Sequence, residues 1–217
     1  KKTMNRHLWL LTLAQGLFFT NNVTFIAING LVGLSMAPLG WMATLPVMGY
    51  VVGSAVSTGL VAKSQQRWGR KVSFQLGLLV ALLSAGMGAW AVMIQSFWML
   101  VLTTFVAGYY SANAQLYRFA AAELAADNFR EKAVSLVLAG GLMGAIIGPN
   151  LAMYTKNLLA FPFASAYLAL AGVALASMAV MAFIEFPPAP VASATDQPGR
   201  PMGVIMRQPV FLVATLC

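Results

Sequence analysis

Charge is what this chain has least of. Of 217 residues, 13 are Lys or Arg and 5 are Asp or Glu, so charged residues make up 8% against roughly a quarter in an ordinary soluble domain. Hydrophobic residues make up 60%, more apolar surface than a soluble domain of this length can hide. Cysteine is nearly absent: Cys217 alone permits no internal disulfide and no cysteine metal cluster. The single histidine, His7, sits among cations at the edge of an apolar run. No nucleophile–base arrangement, phosphate loop or zinc-ligand spacing occurs, which argues against an enzyme and implies no cofactor. The net charge of +8 does not point to nucleic acid, because the cations cap apolar segments and do not gather on one exposed polar face.

What is present is long apolar runs. A helix needs about 20 apolar residues to cross the hydrocarbon core of a bilayer. Six segments qualify, at roughly 8–34, 40–62, 72–94, 97–118, 134–156 and 165–186. Residues 187–209 are rich in Pro, Ala and Ser and read as a linker, and 210–217 read as the start of a seventh span. A chain that opens on Lys1 and stops at Cys217 inside an apolar run reads as a fragment. The loops fix an expected orientation. Lys1, Lys2, Arg6, Lys63, Arg67, Arg70, Lys71, Arg118, Arg130, Lys132, Arg200 and Arg207 fall on one side, and Lys156 alone on the other. That bias places the amino end in the cytoplasm.

Polar side chains inside the spans are the first candidates for function, since lipid offers them no partner. Span one holds Gln15, Asn21, Asn22 and Asn29. Span four holds Asn113, Gln115 and Tyr117, with Arg118 at its boundary. They either line a central cavity or bind neighbouring helices together. No Asp or Glu lies within the six spans, Glu185 being at the end of span six. Span five carries Gly144, Gly148 and Pro149, a run suited to close packing, to bending the helix, or to both. A faint internal repeat accompanies these residues. Gly16 precedes Asn21 as Gly108 precedes Asn113, and Gly49-x-x-x-Gly53 matches Gly144-x-x-x-Gly148. Met178 and Met181 share a face of span six and read as packing, while Met202-x-x-x-Met206 lies in the linker.

Between spans two and three stands a short basic turn, Ala62-x-x-x-Gln66-Arg67-Trp68-Gly69-Arg70-Lys71. It resembles the loop motif of the major facilitator superfamily, whose pattern is G-x-x-x-D-R-x-G-R-K. The resemblance implies an all-α polytopic bundle of six transmembrane helices, half of a twelve-helix fold built from 3+3 inverted repeats. It also implies a gating latch at Gln66, Arg67, Gly69, Arg70 and Lys71, with Glu123 and Asp127 as acidic partners. Ala62 and Gln66 depart from the family's Gly and Asp, which implies a weaker latch. Thr104 stands where the family's proton-coupled exporters carry an arginine.

Residues 115–123 and the run from Leu138 to Ala152 look like the CcoA-like bacterial carriers, a group that includes copper importers. That narrower resemblance implies uptake of copper or a related small solute by alternating access, with metal motifs in helices beyond Cys217. The alternatives are a proton-coupled drug or metabolite exporter and a membrane assembly or sensor protein that moves nothing. The implied partners are the lipid bilayer, a small solute or metal ion, and a carboxy-terminal six-helix half. The cavity candidates are Asn21, Asn22, Asn29, Asn113, Gln115, Tyr117 and Arg118.

Overall fold

Helices dominate because little else is possible: in a bilayer every backbone donor and acceptor must be satisfied within the protein. The computed structural model describes residues 5–158 and 161–187; the linker and seventh-span expectations at 188–217 lie outside the described residues. The helices are α1 (Arg6–Met36), α2 (Leu45–Met93), α3 (Phe97–Ala114), α4 (Tyr117–Leu124), α5 (Arg130–Thr155) and α6 (Ala164–Ala182). Two short 3-10 turns, Gly40–Thr44 and Asp127–Phe129, join α1 to α2 and α4 to α5. Among the described residues there is no strand. Four helical stretches, Arg6–Met36, Gly40–Met93, Arg130–Thr155 and Ala164–Ala182, are long and apolar enough to cross a membrane. The protein is a polytopic membrane bundle.

At 49 residues α2 would measure about 74 Å if straight, more than twice the hydrocarbon thickness. It is not straight. Gly69 takes φ 77° and ψ 172°, a backbone conformation that favours glycine, and the helix folds back there into two arms. The Oγ atoms of Ser64 and Ser73, on opposite arms, lie 2.5 Å apart. The reversal thus falls inside the basic turn, and one long helix makes two passes.

The fourth pass differs from a single helix over 97–118. α3 ends at Ala114, its last turn tightening as Leu116 N donates to the carbonyl of Asn113 at 3.1 Å, and α4 begins at Tyr117. By contrast α5 runs unbroken through Pro149. Of the two expected roles of this run, packing is visible at Gly144 and Gly148. At Gly144 a Cβ would run into the Gly16 carbonyl and the Thr20 amide, and at Gly148 it would press on Val23 and the Thr20 carbonyl. The carbonyl of Gly148 also accepts from Thr24 Oγ1 at 2.8 Å.

Two cores hold the bundle. Around Phe74, Tyr117, Phe18, Leu11 and Met181, at the end that carries the basic turn, Phe74 meets Tyr117 edge-on at 4.8 Å. Around Phe25, Tyr50, Tyr167 and Leu100, toward the other end, Tyr167 fits over Gly88, where a methyl group would strike its ring. The most extensive helix contacts pair α2 with α3 and α1 with α5.

Candidate solute cleft and latch

Two helical stripes face each other across a cleft of about 230 Å³. From α1 come Gln15, Phe18, Phe19 and Asn22, at i, i+3, i+4 and i+7, which is one face of a helix. From the fourth pass come Ser111, Gln115 and Arg118, and Leu138 of α5 closes one side. The break after Ala114 lies within the second stripe. Phe18 and Phe19 meet edge-on with ring centres 5.4 Å apart, so the α1 wall is aromatic at its middle and amide at both ends. The guanidinium of Arg118 lies 5.0 Å from the Phe119 ring centre and has no carboxylate partner among the described residues.

Of the seven expected cavity residues, Asn22, Gln115 and Arg118 line this cleft. The other four do not. Asn21 is buried and donates to the Leu170 carbonyl of α6 at 3.2 Å. Asn29 donates to the Phe25 carbonyl at 2.8 Å and accepts from Tyr167 Oη at 2.8 Å. Asn113 donates to the Ser73 carbonyl at 2.6 Å. Tyr117 sits in the core against the Phe18 and Phe74 rings. The physical reason is shared: an amide in an apolar surrounding is cheapest where a neighbouring carbonyl already waits, and these four meet such partners or pack fully. Asn22 is intermediate, accepting from Tyr50 Oη at 2.6 Å while still facing the cleft.

At the basic end the turn divides its labour. Arg70 grips Glu123 of α4 in a bidentate pair, with Nε to Oε2 at 2.5 Å and Nη2 to Oε1, and its Nη1 donates to Gln65 Oε1 at 2.9 Å. Lys71 Nζ donates to the Ala182 carbonyl at 2.7 Å, capping the carboxyl end of α6, where a cation also meets the negative pole of the helix. Arg67 lies 5.5 Å from the Trp68 ring centre. Gln66 is exposed, and the amide that joins the Arg70–Glu123 pair is its neighbour Gln65, whose Nε2 reaches Asn113 Oδ1 at 3.4 Å. Asp127 opens the 3-10 turn after α4, and its side chain lies outside what the structure describes.

A polar chain therefore runs inward from the surface pair: Glu123, Arg70, Gln65, Asn113, then Ser73 and Ser64, with Tyr109 Oη 3.4 Å from Ser64. Gln65, Ser64 and Ser73 went unnoticed in the sequence because lone polar residues near a loop carry no pattern. Phe18, Phe19 and Ser111 are different: they share the i, i+3, i+4, i+7 spacing of residues already noticed, and that spacing marks them. Among the described residues no group of three His, Cys, Asp or Glu side chains is placed to hold a metal.

Residues 8–217 match the family model described as Major Facilitator Superfamily. The chain is 32% identical over 211 residues, 96% of its length, to the riboflavin transporter RfnT of Brucella anthropi, of which it covers 53%. It is 31% identical over 126 residues to YddS of Bacillus subtilis, an uncharacterised MFS-type transporter, covering 58% of this chain and 29% of the relative. With YdeG, a second uncharacterised MFS-type transporter of that organism, identity is 27% over 216 residues, covering 92% of this chain and 48% of the relative. The chain spans about half the length of the curated relatives that it matches along most of its own. With its helical bundle, its basic reversal and this match from residue 8 onward, the chain belongs to the Major Facilitator Superfamily.

Proposed function

We propose that this bundle is the amino-terminal half of a secondary transporter that carries a flat heteroaromatic solute of the riboflavin kind by alternating access. Its cleft forms one wall of the solute site, and a second six-helix half supplies the other. The observation that carries this reading is the make-up of the cleft: two phenylalanine rings flanked by amides and by the Arg118 guanidinium, which has no carboxylate partner among the described residues. Aromatic rings offer a planar solute a stacking surface, and the few polar groups around them fix its orientation. The relative named as a riboflavin transporter supports the same class of substrate.

Copper, which the narrower resemblance implied, fits this wall poorly. Cu(I) prefers thiolate and thioether ligands, and the cleft offers amides, a hydroxyl and a guanidinium. Met178 and Met181 pack in or against the core around Phe74 and do not line the cleft. The loop charges favour an amino end in the cytoplasm, and the bacterial relatives favour residence in an inner membrane. In this arrangement Arg70–Glu123 holds the cytoplasmic side of the bundle closed to solvent in one state and releases in the other.

The test is complementation. The full-length gene, expressed in a bacterium unable to make or import riboflavin, is expected to restore growth at low riboflavin and to leave cellular copper unchanged. Copper accumulation without any flavin uptake would reverse the assignment.

A further inference from the structure

Gln15 is a buried cleft amide that the fold leaves unfinished. Its residue is 4% exposed, and its Oε1 is shut off from solvent without accepting a hydrogen bond. Each of the other amides of α1 makes a hydrogen bond: Asn21 and Asn29 donate to backbone carbonyls, and Asn22 accepts from Tyr50. A buried carbonyl without a donor is costly. Among the described residues the other buried side-chain atom without a partner is Tyr110 Oη, which lies in the core against Phe18 and does not line the cleft. Position supplies one. Gln15 stands one turn from Phe18 and Phe19 on the same face of α1 and lines the cleft with them. The torsion that carries a terminal amide is broad, so the carbonyl can turn toward a donor arriving in the cleft while χ1 and χ2 keep their rotamers.

We infer that Gln15 determines specificity by accepting a hydrogen bond from a ring N–H on the edge of the solute that lies against Phe18 and Phe19. The inference rests on the flavin reading and sharpens it. The isoalloxazine ring of riboflavin has one ring N–H, the imide N3–H, set between two carbonyls. Gln15 accepts from that N–H, and the donors of Gln115 and Arg118 on the opposite stripe serve the flanking carbonyls. A site built around such a donor rejects a solute that lacks it, because the protein's own acceptor is then left buried and unpaired.

The experiment titrates purified full-length protein with riboflavin and with N3-methylriboflavin, following flavin fluorescence. The methylated compound keeps the ring system and the ribityl chain and replaces the imide donor by a methyl group. Wild type is expected to bind it about tenfold more weakly than riboflavin, and Gln15→Leu to bind riboflavin about tenfold more weakly while treating the two alike. Equal affinity of wild type for both compounds overturns the role of Gln15 and leaves the flavin reading standing, whether or not the variant folds. A Gln15→Leu protein that retains full affinity and full discrimination overturns it as well. Failure of wild type to bind riboflavin at all removes the flavin reading and this inference together.

Discussion

The α1–α5 contact and the α2–α3 contact use the same parts in the same order, and they differ in what lies next to them. In each, a glycine of one helix meets glycine of the other: Gly16 meets Gly140 and Gly144, and Gly108 meets Gly53. In each, an asparagine five residues further on donates to a carbonyl of a third pass, Asn21 to Leu170 and Asn113 to Ser73. Phe18 and Tyr110, two residues after the respective glycines, meet edge-on with ring centres 5.5 Å apart. This is the inverted repeat of the fold made visible in side chains. The difference is that Asn21 makes a single staple, whereas Asn113 is joined through Gln65 to the Arg70–Glu123 pair. One copy of the device borders the cleft, and the other is wired to the Arg70–Glu123 pair. A shared packing solution thus leaves each copy free to acquire a separate task.

The comparison breaks most readily at its glycines. Gly144→Val and Gly53→Val each drive a branched side chain into opposing backbone, and neither protein should be recovered folded, since overpacking of this kind costs about 1–3 kcal/mol or more. Size-exclusion profiles in detergent check this, and tolerance of either change would end the equivalence of the two contacts. Next in size, Asn113→Leu should destabilise by about 1–2 kcal/mol and Asn21→Leu by about 0.6 kcal/mol, because only Asn113 leaves a second amide without its partner. Unfolding in mixed micelles measures both, and equal losses would deny the wiring.

Arg70→Ala should slow transport roughly fivefold, the worth of a half-exposed bidentate pair, with solute affinity nearly unchanged. Flux and binding measured on one preparation separate these, and a large loss of affinity would contradict the latch. The smallest change is Gln66→Asp. Restoring the family's acid at an exposed position should alter stability by less than about 0.5 kcal/mol, read as a melting shift in detergent.

Much of the fold was legible in residue order because hydropathy reports what lipid demands of a chain. The reversal at Gly69 was legible as well, since a basic turn between two spans has few alternatives. Legibility failed where two neighbours in sequence point apart. Gln65 and Gln66 are separated by about 100° around the helix, so the one that meets Arg70 depends on how the arms of α2 pack. The amides failed for another reason. An asparagine in an apolar span announces that it needs a partner and says nothing of whether that partner is a carbonyl of α6, as for Asn21, or a solute. Asn22 and Asn21 are adjacent, yet Asn21 bonds a carbonyl of α6 while Asn22 faces the cleft. Thr104, read as a lost arginine, is fully buried beside Gly49, where a guanidinium has no room.

The hydrogen bond between Ser64 and Ser73 has a consequence for biogenesis. Its partners are nine residues apart and straddle a single left-handed glycine. Closing so short a loop costs little chain entropy, and contacts this local form early. The two arms of α2 can therefore meet once Met93 has been synthesised, without waiting for α3, α5 or α6. The tip of that hairpin carries Lys63, Arg67, Arg70 and Lys71, charges that resist passage through hydrocarbon.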